Sequence, residues 1–216
     1  MMEGIRSEGP VTKVNAGRLT NAIFVFTLLL LFKNVRTPTF GDYGIVTMDN
    51  FMQVQIADIL SFLNAFVILA MLWVVLFHVF NQLQKVDRTY LYIHFTTLMM
   101  IIFIPISSHL NVVYPGKSDF PVLFNLNMLA IGLLLALEWW HISRTPAIRN
   151  PGINSFQMHC IGMKMLYIPV TAVFGVILSM FDLRYTQSVY LVTMLAFLLT
   201  SLYSRNREKI HGGETP

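Results

Sequence analysis

The chain has 216 residues, of which 55% are hydrophobic and only 12% charged, and its mean hydropathy is +0.61. A soluble domain carries about 25% charged residues, so this composition excludes one and describes a polytopic membrane protein. A single cysteine, Cys160, excludes an intrachain disulfide and any multi-cysteine metal site.

The opening stretch, Met1 to Lys13, is polar and mixed in charge, unlike a signal peptide, and reads as part of a loose tail over 1–14. The first long apolar stretch, Asn15 to Pro38, is the one around which the rest is organised. Wound as a helix, it places Thr20, Ile23, Thr27, Leu30 and Asn34 at spacings of 3, 4, 3 and 4, on one narrow face. Phe26 and Lys33 flank that face. The run Ala22 to Phe32 has 11 residues, short beside the roughly 20 that a helix facing lipid alone needs. A punctuated stripe of this kind suits a helix enclosed by protein, with one face on a water path or a symmetry axis. It equally suits an ordinary spanning helix whose threonines bond back to their own carbonyls.

Thr37 to Gly44 is rich in turn residues and reads as an external loop. Asp42, Asp49 and Asp58 lie in or near it, either as solvated acids or as a means of concentrating cations at an outer mouth. The second apolar segment is the longest and is followed by a very short turn, Lys85-Val86-Asp87-Arg88, so the second and third segments form an antiparallel hairpin. The third segment carries His94 among apolar residues and ends or kinks at Pro105. The Ser107–Lys117 link is external. The fourth holds Asn125 and Asn127 near its outer end, then Glu138, Trp139, Trp140 and His141 near its inner end. The tryptophans read as interfacial anchors, and Glu138 with His141, at i and i+3, as a contact at headgroup level. The fifth has Pro169 inside it, which implies a local kink. Asp182 and Arg184 fall in a tight outer turn, and a sixth segment runs to Ser204.

Six segments, near 19–35, 54–82, 90–108, 120–142, 157–180 and 187–204, put both termini on one side. That side then collects eleven lysines and arginines against four on the other, which places both termini in the cytoplasm. The basic balance is thus a matter of topology rather than a nucleic-acid footprint.

Catalytic patterns are missing. There is no His-Glu-x-x-His, no histidine box and no Gly-x-Ser-x-Gly. The six histidines sit at 78, 94, 109, 141, 159 and 211, on different segments and at different depths, whereas a metal site needs three or four to converge. Without a Gly-rich phosphate loop, ATP-driven transport on this chain is not expected. Neither an enzyme nor a cofactor is expected.

Trp73 followed by Phe80, then Val86-Asp87-Arg88, then an apolar span ending in Pro105 and small polar residues, resembles the lysosomal and prokaryotic potassium channels of the transmembrane-protein-175 type. Pro38, Asn127 and Pro169 agree with that layout. The resemblance implies six helices per chain, a homotetramer, and a pore lined by the first helix of each chain without a P-loop filter. The family's signature at the start of that helix, Arg-x-x-x-Phe-Ser-Asp, is not present. Counting back from Pro38 without gaps places Asn15, Leu19, Thr20 and Asn21 at its Arg, Phe, Ser and Asp positions. The same register puts the family's apolar constrictions on Phe26, Leu30 and Lys33. A register one turn earlier puts them on Ile23, Thr27 and Leu30.

The expectation is therefore an all-α, six-helix membrane domain over 15–206 between tails 1–14 and 207–216, in the cell membrane, with the first helix central at the oligomer axis. The expected function is a passive, leak-type potassium channel whose ion path involves Thr20, Asn21, Ile23, Phe26, Thr27, Leu30 and Asn34. Its partners would be potassium ions, membrane lipids and further copies of itself, with no nucleic acid. Lys33 is expected to snorkel to the headgroups. A proton-coupled transporter or proton path using Asp58, His94 and Glu138, and a non-conducting scaffold, are the alternatives.

Overall fold

The computed structural model describes residues 12–35, 48–113, 119–181, 189–196 and 199. The tails, the loop with Asp42, the turn with Asp182 and Arg184, and much of the sixth segment lie outside these residues, as does the side chain of Asp49. The described residues form an all-α bundle, with an isolated antiparallel bridge between Leu83 and Arg149.

Helix α1, Lys13–Lys33, starts where the side chain of Thr12, in extended conformation, accepts from the Asn15 amide, a standard hydroxyl N-cap. It therefore begins before Asn15, the expected start. Helix α2, Met48–Asn81, has 34 residues, about 51 Å at 1.5 Å per residue, more than a bilayer core needs. Its apolar part is Asp58–Asn81. After the short turn, Asp87 caps α3, Arg88–Ile102, by accepting from the Tyr90 amide.

Prolines then divide two spans. Helix α3 gives way at Phe103 to α4, Ile104–Val113, with Pro105 in its first turn. Helix α6, Ser155–Met165, gives way at Leu166 to α7, Tyr167–Ser179, with Pro169 in its first turn. Proline has no N–H to continue the ladder and crowds the carbonyl four residues back, so each break falls just before it. Asn154 and Gln157 close a reciprocal capping box at the start of α6.

Helix α5, Asp119–Arg144, is the centre of the packing and touches α3, α4, α6 and α7. Its buried face reads Phe124, Met128, Ile131, Leu135, Ile142. Gly132 lets α7 come close: a Cβ there would lie 2.7 Å from Cδ of Pro169. Further along, Asn125 joins three elements. Its amide donates to Oγ of Ser179, and its carbonyl oxygen accepts from the hydroxyl of Tyr190, in the helical stretch 189–196.

Five stretches among the described residues are long and apolar enough to cross a membrane: Lys13–Lys33, Asp58–Asn81, Arg88–Asn111, Asp119–Arg144 and Ser155–Ser179. Their ends alternate as expected. One end of the bundle gathers the start of α1, the α2–α3 turn and the α5–α6 loop. There Nζ of Lys13 donates to the Leu83 carbonyl at 2.6 Å, and Gln84 and Asn150 exchange backbone bonds with Ile148 and Gln82. Asn34, Pro105 and Ser108 meet at the other end.

Candidate functional site

Helix α1 turns one face into the protomer: Ala16, Thr20, Phe24, Thr27 and Leu31 are buried. Thr27 is fully covered, and its hydroxyl donates to the Ile23 carbonyl at 2.8 Å. Thr20 donates to the Ala16 carbonyl at 2.9 Å and lies 2.8 Å from Nε2 of His94 on α3. A hydroxyl has one proton to give. With that proton on Ala16, Thr20 accepts from a protonated Nε2.

Behind His94 stands Glu138 of α5. Nδ1 of His94 is 3.3 Å from Oε1 of Glu138, and both side chains are 0% exposed. The hydroxyl of Thr97 donates to the same oxygen at 2.7 Å, and that of Tyr90 donates to Oε2 at 3.3 Å. Tyr90 stacks on the His94 ring and Phe80 meets it edge-on. A carboxyl in an apolar interior persists only when it is paired and hydrogen-bonded. Here the hydroxyls of Thr97 and Tyr90 donate to it and the His94 ring lies against it, all from α3, and α1 is attached to them through Thr20.

Glu138 thus corrects one expectation. It does not share a headgroup-level contact with His141. It faces α3, while Nε2 of His141 lies 2.9 Å from Oδ2 of Asp87. An i, i+3 spacing makes a contact possible, but the closely packed α3 offers each residue a better partner. His94 and Glu138 are thereby joined, whereas Asp58 is remote from them. It lines a cavity at the other end of the bundle with Asn34, Ser61, Ser108 and His109, about 20 Å³ in volume and large enough for one water. Thr20 and Asn34 are about 21 Å apart along α1 at 1.5 Å per residue.

The remaining α1 residues divide cleanly. The carbonyl oxygen of Asn21 accepts from the indole N–H of Trp73 at 3.1 Å. Nδ2 of Asn34 donates to the Pro105 carbonyl at 3.0 Å. Ile23 and Leu30 are half-buried. Leu19, Ala22, Phe26, Leu29 and Lys33 are exposed and recur at helical spacing, so they form a continuous strip facing away from the clasp. Polar bonds therefore hold α1 near both ends, through Lys13, Thr20, Asn21 and Asn34, and the described residues of the protomer leave this strip uncovered. Spacing in α1 shows the stripe but not its partners. Trp73 was visible in the resemblance, whereas His94 and Glu138 were grouped only in the proton-path alternative, with Asp58, and no spacing shows their contact.

With these contacts in place, comparison with known proteins is informative. Residues 16–105 match the family of the endosomal/lysosomal potassium channel TMEM175. The resemblance carried by Trp73, Phe80, Val86-Asp87-Arg88 and Pro105 is borne out. The TMEM175 match contains the Thr20–His94, Asn21–Trp73 and Asn34–Pro105 contacts, and Glu138 lies beyond it. TMEM175 is a family of channels and not of enzymes. The chain is similar to the potassium channel of Streptomyces collinus, at 20% identity over 140 residues, or 63% of this chain and 67% of that one. Its fold is similar to the crystal structure of a lysosomal potassium-selective channel TMEM175 homolog from Chamaesiphon minutus. The TM-score is 0.75 at 18% identity, over 88% of this chain and 97% of the other.

Proposed function

We propose that the chain is a passive, leak-type potassium channel of the cell membrane, with both termini cytoplasmic, assembled as a homotetramer around α1. The observation that carries this reading is that the segment matching a potassium-channel family contains a helix clasped on one face and uncovered on the other. In a fourfold assembly the uncovered strip of α1 from Leu19 to Leu29 faces the axis, while Lys33 at its outer end snorkels to the headgroups. Phe26, 51% exposed, and the half-buried Leu30 then form the hydrophobic constriction, flanked by Ile23. This favours the ungapped register of Phe26, Leu30 and Lys33 over the one through Thr27, whose hydroxyl is committed inside the protomer. Thr20, Asn21, Thr27 and Asn34 act on the ion path through the helix that they fix. Apolar rings of this kind conduct only when wetted.

Cation flux into liposomes tests the reading. Leu30→Asn places an amide at the constriction, and the expected result is higher conductance with a weaker preference for potassium over sodium. Leu31, about 100° round the helix and buried in the core, is the control, and Leu31→Asn should act through stability alone. Unchanged permeation in Leu30→Asn, or a larger permeation change at Leu31, would show that this side of α1 is not the pore.

A proton path is the second reading, favoured by the buried His94–Glu138 pair. Proton flux under a pH gradient, abolished by Glu138→Gln while potassium flux persists, would support it.

A further inference from the structure

A half-open cavity of about 240 Å³ lies between the first turns of α1 and the last turns of α2. Lys13 stands at one end of it and Asn21 at the other. That is about 12 Å along the helix at 1.5 Å per residue. Trp73, Phe77 and Phe80 wall it. The amides of Asn21 and Asn81 lie at the exposed rim, while the buried hydroxyl of Thr20 is committed to His94 and to the Ala16 carbonyl, and the carbonyl oxygen of Asn21 to Trp73. A polar solute such as a sugar or nucleotide would find few donors there.

Lys13 is different. Its ammonium spends one N–H on the Leu83 carbonyl and has two more to give. Among the described residues, no carboxylate lines the cavity. It opens at the end of the bundle that also carries Lys85, Arg88, Arg144 and Arg149. The site therefore runs from a cation at headgroup level into an aromatic slot at hydrocarbon depth.

We infer that this cavity binds a phospholipid with an anionic headgroup, its phosphate on Lys13 and an acyl chain along Trp73, Phe77 and Phe80. An apolar cavity of this size takes an apolar guest in preference to water. A lysine beside an anionic lipid headgroup selects it over a zwitterionic one. Because Thr20 and Asn21 line the same cavity, the bound lipid would rest on the part of α1 that is clasped to α2 and α3. The site stands whether or not the chain conducts.

Tryptophan quenching tests it. The chain has three tryptophans, so a Trp139→Phe/Trp140→Phe variant leaves Trp73 as the sole tryptophan, excited apart from the tyrosines at the red edge of its absorption. It is reconstituted in phosphatidylcholine vesicles containing a minor fraction of brominated phosphatidylglycerol or of brominated phosphatidylcholine. The expected result is quenching that corresponds to about fivefold enrichment of the glycerol lipid, the worth of one lysine near an anionic surface. Lys13→Gln should remove that enrichment, and Lys85→Gln, at the same end of the bundle, should keep it. Equal quenching by both lipids overturns the proposal. Quenching by neither also overturns it and assigns the cavity to a neighbouring copy. Trp139 is buried, so a second measurement guards against misfolding of that variant. Anionic phospholipid is counted by mass spectrometry on the unmodified chain, Lys13→Gln and Lys85→Gln, each purified from the same membranes. Loss in Lys13→Gln alone supports the site, and equal content in all three sinks it.

Discussion

His94 and Glu138 carry the main polar commitment of the interior. Both are fully buried, and Glu138 accepts from Thr97 and Tyr90 as well. Removing one member of such a pair leaves the other polar group unsatisfied in an apolar interior, which costs about 3–5 kcal/mol. Glu138→Ala and His94→Ala should therefore each lower thermal stability in detergent strongly. The double variant should be much less destabilised than the sum of the two, since neither member of the pair is then left facing the other's empty place. Additive losses would mean that the two residues are not coupled. Thr20 makes the pair relevant to α1, because its contact with Nε2 is the link from the first helix to this network.

At the level of helices, the α5–α7 contact depends on a missing side chain. At Gly132 a Cβ would lie 2.7 Å from Cδ and from the backbone nitrogen of Pro169. A rigid ring and a backbone atom have little room to yield. Close approach of small residues is how membrane helices gain packing energy when lipid is as apolar as the core. Gly132→Ala should cost about 1–3 kcal/mol as overpacking. Gly17→Ala is the matched control, since a Cβ there meets only the Phe80 ring at 3.9 Å. It should be neutral or stabilise α1 by up to about 1 kcal/mol, as helix propensity predicts. Melting curves of the two variants check this, and a similar loss at both positions would contradict it.

For the whole molecule, the contacts at one end of the bundle join the start of α1, the α2–α3 turn and the α5–α6 loop. In the proposed topology, which rests on the charge asymmetry, that end is cytoplasmic. In a Cys160→Ala background, Arg149→Cys should therefore be protected from an impermeant thiol reagent added outside, and Thr39→Cys should react. Protection at Thr39 with labelling at Arg149 would reverse the orientation. A second consequence concerns shape. The outward faces of α2, α5 and α7 carry exposed Leu60, Leu133 and Phe174, as a bundle embedded in lipid requires, so exposed apolar area does not by itself mark an interface here.

Read alone, the amino-acid sequence determined the membrane class, the helical architecture, the α2–α3 hairpin and the two proline-broken spans. Each rests on local chemistry: apolar length, turn residues and a missing N–H. It also carried the resemblance to the TMEM175 family, through Trp73, Phe80 and the Val86-Asp87-Arg88 turn. Tertiary structure alone decided which side of α1 is inward. In a soluble helix the wet face is polar and declares itself. In a membrane the lipid face and the core face are both apolar, so the stripe of Thr20, Thr27 and Asn34 was readable while its partners were not. The pairing of His94 with Glu138 was out of reach for a related reason. They are 44 residues apart, and only the packing of α3 on α5 brings an imidazole and a carboxyl together where neither could be buried alone.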